Sequence, residues 1–345
     1  MCVGVGLKSE SFIDLKESLF ELEELVTSAG GEVVGSVTQV LQAYNPGTLI
    51  GSGKVTEIAT LVKESGAGAV AVDHLLSGVQ IRNLENELKV RVVDRNQVIL
   101  DIFAQRAQTY EGKLQVELAQ MLDQLPRMVD AWMGSLSRQG GGIGTRGPGE
   151  TALEMDRRRI KERAKVSRKQ LENGRQHRSQ HRASRRKNRL PSVALFGYTN
   201  SGKSTLLNRL TQSQVMAKDL LFATLDPTTR KVHLPDGPPA VITDTVGFIR
   251  KLPTNLIEAF KATLEESADA DILIHVVDLS SPQMQTQVEV VQKLMVEFGW
   301  SHKPVIHVFN KVDQAPFEKQ FLVNAFPRVF VSALTGEGIV RLKRL

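Results

Sequence analysis

A glycine-rich loop directly after a short apolar strand constrains the fold more than any other feature of the sequence. The strand is predicted over residues 193–196, and Gly197–Ser204 follow it in the pattern Gly-x4-Gly-Lys-Ser, ahead of an apolar segment typical of a helix. In such a loop, successive backbone N–H groups wrap phosphates at the helix N-terminus. We therefore predict an α/β P-loop domain, with the Lys203 amine at the β- and γ-phosphates and the Ser204 hydroxyl on Mg2+. The predicted phosphate contacts are Gly197, Tyr198, Thr199, Asn200, Ser201, Gly202, Lys203, Ser204 and Thr205.

Three downstream motifs predict that the nucleotide is GTP. Asp244-Thr245-Val246-Gly247 ends a strand and resembles the Asp-x-x-Gly element of GTPases, in which the Asp holds Mg2+ through water and the Gly N–H meets the γ-phosphate. Asn310-Lys311-Val312-Asp313 follows another strand and resembles the guanine-selecting motif, in which Asp313 can accept hydrogen bonds from the guanine N1–H and amine. Ser332-Ala333-Leu334 resembles the last base-contacting loop. The predicted nucleotide contacts in these motifs are Asp244, Thr245, Gly247, Asn310, Lys311, Asp313, Ser332, Ala333 and Leu334.

The stretch 221–228 resembles the first switch of such proteins, where a Thr closes over Mg2+ and the γ-phosphate. We assign this role to Thr224 rather than Thr228 because of its place in Phe-Ala-Thr-Leu, and we assign Phe222 to the nucleotide site. The predicted catalytic residues are Lys203, Thr224 and Gly247, and the predicted metal ligands are Ser204, Thr224 and Asp244.

Two positions bear on the rate of hydrolysis. Phe248 directly follows Gly247, where many Ras-like enzymes have a water-orienting Gln, and Phe can neither donate nor accept a hydrogen bond. Slow intrinsic hydrolysis is expected, whether Phe248 replaces that Gln or simply belongs to the core. Asn200 resembles the position that coordinates K+ in some GTPases with an apolar residue at the Gln position. A hydrogen bond that stabilises the loop explains Asn200 equally well.

The chain before this domain divides into two segments of different character. Residues 12–101 alternate helical and strand patterns, which favours a small α/β domain with a largely parallel sheet. Residues 109–174 are typical of an antiparallel helical hairpin, in which Pro126 kinks or ends the first helix and Gly174 ends the second. The predicted helices of the first segment cover 12–29, 55–63 and 80–88, and its strands lie at 33–37, 69–72 and 90–93.

The predicted hairpin has a glycine-rich tip, Gly140–Glu150, with six glycines in eleven residues. A flexible connector is one explanation, but paired helices need only a few linking residues. We favour insertion of this tip, with Arg146, into a crowded RNA pocket where side chains would not fit.

Charge is concentrated in one segment. Residues 157–189 contain 15 Lys or Arg residues against two acids, a local charge of +13, which leaves −7 for the rest of a chain whose total is +6. This favours binding of a polyanion, with RNA as the leading candidate, although a solvated helix is the simpler alternative. The second half of the segment lacks apolar spacing, so 175–189 is predicted to be a disordered basic linker.

Composition excludes other classes of protein. Cys2 is the only cysteine, so an internal disulfide and a cysteine zinc cluster are excluded. The apolar runs fall far short of the ~20 residues that cross a bilayer, and no secretory signal is recognised. A cytoplasmic protein without a membrane span is expected.

Beyond the nucleotide motifs, the chain resembles the HflX-like GTPases over nearly its whole length. The specific stretches are Val93-Asp94-Arg95, 99–107, 112–119, and Gly140–Glu150 with Asp156-Arg157-Arg158-Arg159. The resemblance implies an N-terminal α/β domain (1–108), a helical hairpin with a glycine-rich tip (109–174), a basic linker (175–189) and a Ras-like G domain (190–345).

The same resemblance implies a function. Such a GTPase binds GTP and Mg2+, associates with the large ribosomal subunit and its RNA, and splits or remodels stalled or idle ribosomes. Its hydrolysis would be slow alone and stimulated by ribosomes. The tip with Arg146 would approach the peptidyl-transferase region, and Arg157, Arg158 and Arg159 would lie along ribosomal RNA. ATP binding by the N-terminal domain is also implied, without a phosphate loop there, and a monomer is expected. The alternative is a non-hydrolysing, GTP-gated switch that binds RNA or protein.

Overall fold

The structure of the protein is a computed structural model that describes residues 1–136, 148–187, 190–211, 221–222, 225–226, 228–235, 237–252, 256 and 269–345, with side chains left out at 129–136, 148–153 and 175–187. The described residues form two units. Unit 1 comprises Met1–Gln105 and Leu114–Gln170, and unit 2 comprises Arg106–Lys113 and Leu171–Leu345.

Unit 1 contains a four-stranded parallel sheet in the order β2-β1-β3-β4. Its strands are β1 (Cys2–Leu7), β2 (Ser36–Leu41), β3 (Ala69–Val72) and β4 (Arg91–Asp94), and the helices that follow them are α1 (Phe12–Ser28), α2 (Ser52–Ser65), α3 (Gly78–Leu88) and α4 (Arg95–Arg106). The apolar side chains of β1 and β3 pack with those of α2 and α3 in one core. The predicted α/β domain with a parallel sheet is confirmed. The sequence pattern did not predict β1 or α4, and the strand predicted at 33–37 lies at Ser36–Leu41 instead.

Two long helices follow, and both extend beyond their predicted ends. Helix α5 (Tyr110–Leu136) continues through Pro126, because a proline inside a helix removes a single N–H donor and the flanking turns remain paired. Helix α6 (Pro148–Lys187) continues past Gly174, so the prediction that 175–189 is a non-helical linker is wrong over 175–187. A glycine inside a helix costs only about 1 kcal/mol relative to alanine, which the surrounding Arg, Lys, Gln and Ala residues offset.

The two helices contact each other where the structure describes both, but their pairing near the glycine-rich tip remains a prediction. Arg163 of α6 forms an ion pair with Glu117 of α5, and Leu118 and Ala164 are buried. The tip residues up to 147, including Arg146, lie outside the described residues.

Unit 2 contains a six-stranded sheet in the order β10-β9-β8-β5-β7-β6, parallel except for β6. The strands are β5 (Ser192–Gly197), β6 (Thr228–Val232), β7 (Ala240–Asp244), β8 (Ile272–Asp278), β9 (Val305–Asn310) and β10 (Arg328–Phe330), and the helices are α7 (Lys203–Thr211), α8 (Met284–Glu297) and α9 (Ile339–Arg344). Helices α7 and α9 pack on one face and α8 on the other. The carboxyl ends of β5, β7 and β9 therefore meet at one edge, where open α/β sheets bind ligands.

None of the described helices combines the length and the apolar character needed to cross a membrane.

Candidate nucleotide site

The phosphate loop lies where the motif predicts, between the end of β5 at Gly197 and the start of α7 at Lys203. The Lys203 side chain is buried, and its Nζ donates hydrogen bonds to the carbonyl oxygens of Gly197 (3.2 Å) and Tyr198 (2.7 Å). Burial lowers the pKa of Lys203 to about 8, with Asp244 raising it and Lys311 lowering it further. The amine is therefore held inside the loop that would receive the phosphates.

The two predicted metal ligands that the structure describes lie together. The Ser204 hydroxyl donates a 2.6 Å hydrogen bond to Asp244 Oδ2, and Asp244 is fully buried at the end of β7. A hydroxyl and a carboxylate are hard oxygen donors, which Mg2+ prefers, so these side chains fit that ion. When bound, Mg2+ would neutralise charge on the phosphates. Thr224 lies outside the described residues, and its contact with the metal stays a prediction.

The phosphate loop and the segment after β7 are joined through their backbones. Thr199 N donates to Phe248 O (2.7 Å), and Phe248 N donates to Gly197 O (3.0 Å). Only a glycine fits at position 247, because an added Cβ would lie 2.8 Å from Thr199 Cα and 2.9 Å from Lys203 Nζ. Gly247 is thus brought against the loop, as a contact with the γ-phosphate requires.

Two side-chain hydrogen bonds also hold this segment. The Tyr198 hydroxyl accepts a hydrogen bond from Arg250 N (2.9 Å), and the buried Thr245 hydroxyl donates to the Leu195 carbonyl (2.7 Å). The structure therefore gives the Thr245 side chain a partner inside the sheet. Phe222, the described residue of the first switch that sequence analysis assigned to the site, is buried with a φ of 55°.

Asn310 links the phosphate loop to the base-contacting loop. It is buried at the end of β9, its Nδ2 donates to Ser201 O (2.9 Å), and its Oδ1 accepts from Ala333 N (2.9 Å). Lys311 Nζ pairs with Asp278 Oδ2 at 2.7 Å, and the Asp313 side chain is exposed. The guanine motif is therefore assembled, with Asp313 open to a ligand.

The base-contacting loop at 332–334 is also held by a side chain of α7. The buried Ser332 hydroxyl accepts from Thr335 N (3.0 Å). Arg209 Nε donates to Ala333 O (3.0 Å), and Arg209 also binds the carbonyl of Leu334, whose side chain is exposed.

Phe248 belongs to the core, which confirms the simpler explanation of that residue. It is 2% exposed and stacks on Phe298 with ring centroids 6.2 Å apart, and Phe298 in turn contacts Trp300. The side chain at this position therefore supplies no polar group to an attacking water.

Sequence analysis missed one contact of the first switch. The Asp226 carboxylate accepts hydrogen bonds from Gln108 N (2.9 Å) and Thr109 N (3.0 Å), and from the Thr109 hydroxyl. Thr109 Oγ1 in turn accepts from Gly112 N at the start of α5. The only signal in the sequence was a threonine ahead of a helix, which is typical of an N-cap.

The predicted RNA contacts that the structure describes belong to unit 1. Arg157, Arg158 and Arg159 are exposed on α6. Arg158 pairs with Glu162 (3.2 Å) and Arg159 with Asp156 (3.5 Å), both within the same helix.

Comparison with known proteins decides the family. Three family models match: "GTP-binding GTPase N-terminal" over residues 16–104, "GTP-binding GTPase Middle Region" over 106–185, and "50S ribosome-binding GTPase" over 192–311. The GTPase HflX of Lacrimispora saccharolytica is 52% identical over 333 residues, which cover 96% of this chain and 78% of that protein. The GTPase HflX of Escherichia coli is 48% identical over 330 residues, 94% of this chain and 77% of that protein. The chain belongs to the HflX family of GTPases.

Solved structures agree with this assignment. A complex of SsGBP with GDP covers 99% of this chain and 96% of its own, with a TM-score of 0.54 and 25% identity. A GTP-binding protein from Sulfolobus solfataricus in complex with GDP has a TM-score of 0.50 at 24% identity and shows the fold alone. The predicted Ras-like P-loop domain is confirmed. As an HflX-family GTPase the protein hydrolyses GTP, and the non-hydrolysing alternative is set aside.

Proposed function

We propose that the protein binds the large ribosomal subunit in its GTP state and splits or remodels stalled or idle ribosomes, with hydrolysis permitting release. The observation that carries this proposal is the exposed triplet Arg157–Arg159 in a chain whose GTPase domain matches a 50S ribosome-binding family. The side chains of Arg158 and Arg159 are 81% and 77% exposed, and exposed pairs within one helix are weak. Their guanidinium groups are therefore available to RNA phosphates.

The first experiment measures GTP hydrolysis with and without purified large ribosomal subunits, with Lys203→Ala as the background control. We expect strong stimulation that the variant lacks, because the buried Phe248 leaves the attacking water without a side-chain partner from that position. Sedimentation of intact ribosomes with the protein and a non-hydrolysable GTP analogue then measures splitting. Absence of both stimulation and splitting would contradict the proposal.

The second experiment tests the basic triplet by charge reversal. We expect the triple variant Arg157→Glu, Arg158→Glu and Arg159→Glu to bind large subunits at least tenfold more weakly. The slope of the logarithm of affinity against the logarithm of salt concentration should become smaller in magnitude by about 2–3. The matched control reverses three exposed lysines of unit 1, Lys8, Lys16 and Lys63, with the same change in net charge. Equal losses in both variants would mean that net charge alone, and not this triplet, controls binding.

Finer parts of the proposal are carried by the family resemblance. We propose that Asn200, which has a φ of 58°, contacts K+ during hydrolysis. Replacing K+ with Na+ should slow the wild type and leave Asn200→Ala unchanged, and equal sensitivity would remove Asn200 from that role. A cytoplasmic monomer, ATP binding by the N-terminal domain, and contact of Arg146 with RNA near the peptidyl-transferase region remain predictions.

A further inference from the structure

The side chain of Thr199 lies at the point of the phosphate loop that is closest to Gly247. The position that an added Cβ of Gly247 would occupy is 2.8 Å from Thr199 Cα, 2.9 Å from Thr199 Cγ2 and 2.9 Å from Lys203 Nζ. The Thr199 backbone is fixed there by its hydrogen bond to Phe248 O. A threonine side chain and the phosphate-binding amine thus flank the glycine whose N–H is expected to meet the γ-phosphate.

The Thr199 hydroxyl is buried without a partner. Thr199 is 6% exposed, and among the residues that the structure describes its Oγ1 has no hydrogen-bond partner. Burying an unpaired hydroxyl is unfavourable, and a valine would fill the same volume without that loss. A buried hydroxyl left unpaired at a binding loop is explained when a ligand supplies its partner.

Among the described residues, the loop has one other unpaired hydroxyl, on a residue whose backbone is bound at the guanine motif. Ser201 Oγ also lacks a partner among the described residues, but the carbonyl of Ser201 is bound by Asn310, on the side of the guanine motif. The contacts of Thr199 are instead with Gly247 and Phe248. Thr199 Cα and Cγ2 are the atoms that approach Gly247, so of these two residues Thr199 is the one beside the glycine that is expected to meet the γ-phosphate.

We propose that Thr199 Oγ1 donates a hydrogen bond to the γ-phosphoryl group of GTP and accepts one from the attacking water. A hydroxyl has one donor and two acceptor lone pairs, so it can make both contacts at once. In this way Thr199 supplies the polar contact that the buried Phe248 cannot provide. The role concerns GTP hydrolysis itself and is independent of the ribosome.

The chemical step leaves Thr199 unchanged. The water oxygen forms a bond to the γ-phosphorus, the bond from that phosphorus to the bridging oxygen of GDP breaks, and the proton lost by water passes to a phosphate oxygen. The products are GDP and inorganic phosphate. Thr199 acts by holding the water and the phosphoryl oxygen in line as charge spreads over the phosphoryl group.

Three variants test the proposal by single-turnover GTP hydrolysis without ribosomes. Thr199→Val keeps the volume and removes the hydroxyl, Thr199→Ser keeps the hydroxyl, and Thr199→Ala removes both. We expect Thr199→Val to hydrolyse bound GTP about 10–100-fold more slowly, with its Kd for GDP within about threefold of wild type, because GDP lacks the γ-phosphate. Thr199→Ser should stay within about fivefold of the wild-type rate.

The comparison of Thr199→Ala with Thr199→Ser isolates the hydroxyl even where Thr199→Val fails to fold. Thr199→Ala should be at least tenfold slower than Thr199→Ser at equal GDP affinity. A merely structural hydroxyl would change GDP affinity and the melting temperature together with the rate. The proposal would be overturned if Thr199→Val hydrolysed GTP at the wild-type rate, or if Thr199→Ala and Thr199→Ser hydrolysed it at equal rates.

Discussion

Lys203 is a residue whose protonation is expected to affect nucleotide binding. Burial lowers the pKa of its amine to about 8 in the protein without nucleotide. Phosphate oxygens beside the amine favour its charged form, so the pKa of Lys203 is higher in the bound state. Between these two pKa values, binding takes up a proton. GDP affinity should therefore be constant well below pH 8 and fall as the pH rises through 8, by up to about tenfold per pH unit.

Titration calorimetry of GDP at about pH 8.5, in two buffers of different ionisation enthalpy, measures this proton uptake. We expect the wild type to take up most of one proton. Lys203→Arg is the control, because its guanidinium stays charged at this pH and takes up no proton on binding. Any proton exchange by the guanine base of GDP occurs in both proteins and therefore cancels in the comparison. Equal uptake by both proteins would assign the proton to another group.

The identities of the site residues could be predicted at this scale, but not all of their partners. The Gly-x4-Gly-Lys-Ser spacing is local in the chain, so the motif alone located Lys203 and Ser204. The bridge from Asn310 to Ser201 joins residues 109 positions apart, and no local pattern reports it. The hydroxyl of Thr199, unpaired among the described residues, could not be predicted either, because a threonine in a glycine-rich loop carries no signal of burial.

At the scale of elements, the first switch is attached to the beginning of α5. Both oxygens of Asp226 are used there, and an added Cβ at Gly112 would overlap this carboxylate. Asp226→Ala should therefore free the Gln108 and Thr109 amides and destabilise the start of α5 by about 1–2 kcal/mol, as loss of a helix cap does.

Hydrogen exchange of the peptide that covers 106–113 measures this attachment. We expect exchange to be at least fivefold faster in Asp226→Ala and in Gly112→Ala, since a change of 1 kcal/mol is about a factor of five. Asp14→Ala, which removes an exposed carboxylate in the first turn of α1, should leave this peptide unchanged. Unaltered exchange in both test variants would show that Asp226 does not hold the start of the helix.

The spacing of apolar residues predicted those helices and strands whose polar residues face solvent. Helix α1 (Phe12–Ser28) and strand β3 (Ala69–Val72) lie within one residue of their predicted bounds. Helix α4 was missed because its first turn buries charge. Arg95 is 3% exposed and paired with Asp73 and Glu21, so the polar positions of α4 do not mark a solvent-facing side.

At the scale of the whole molecule, the described residues have separate hydrophobic cores. One core is built from Val3, Ile58 and Val70 in unit 1, and another from Leu195, Leu206 and Val276 in unit 2. Composition and the alternation of apolar segments could predict two α/β sheets, because each sheet needs its own covering helices. Residues 106–113 belong to unit 2, where Gln108 binds Asp226, which lies more than a hundred residues away in the chain.

Separate cores predict separate unfolding transitions, of which GDP should shift only one. A ligand that binds the native state stabilises the part it binds, by about 2.7 kcal/mol at a concentration of 100 times Kd. Differential scanning calorimetry should therefore show the transition of unit 2 moving upward with GDP while that of unit 1 stays in place. Lys203→Ala should lose the shift. If both transitions moved together with GDP, the two units would unfold as one, whereas a shift of the unit 1 transition with ATP alone would support the predicted ATP site there.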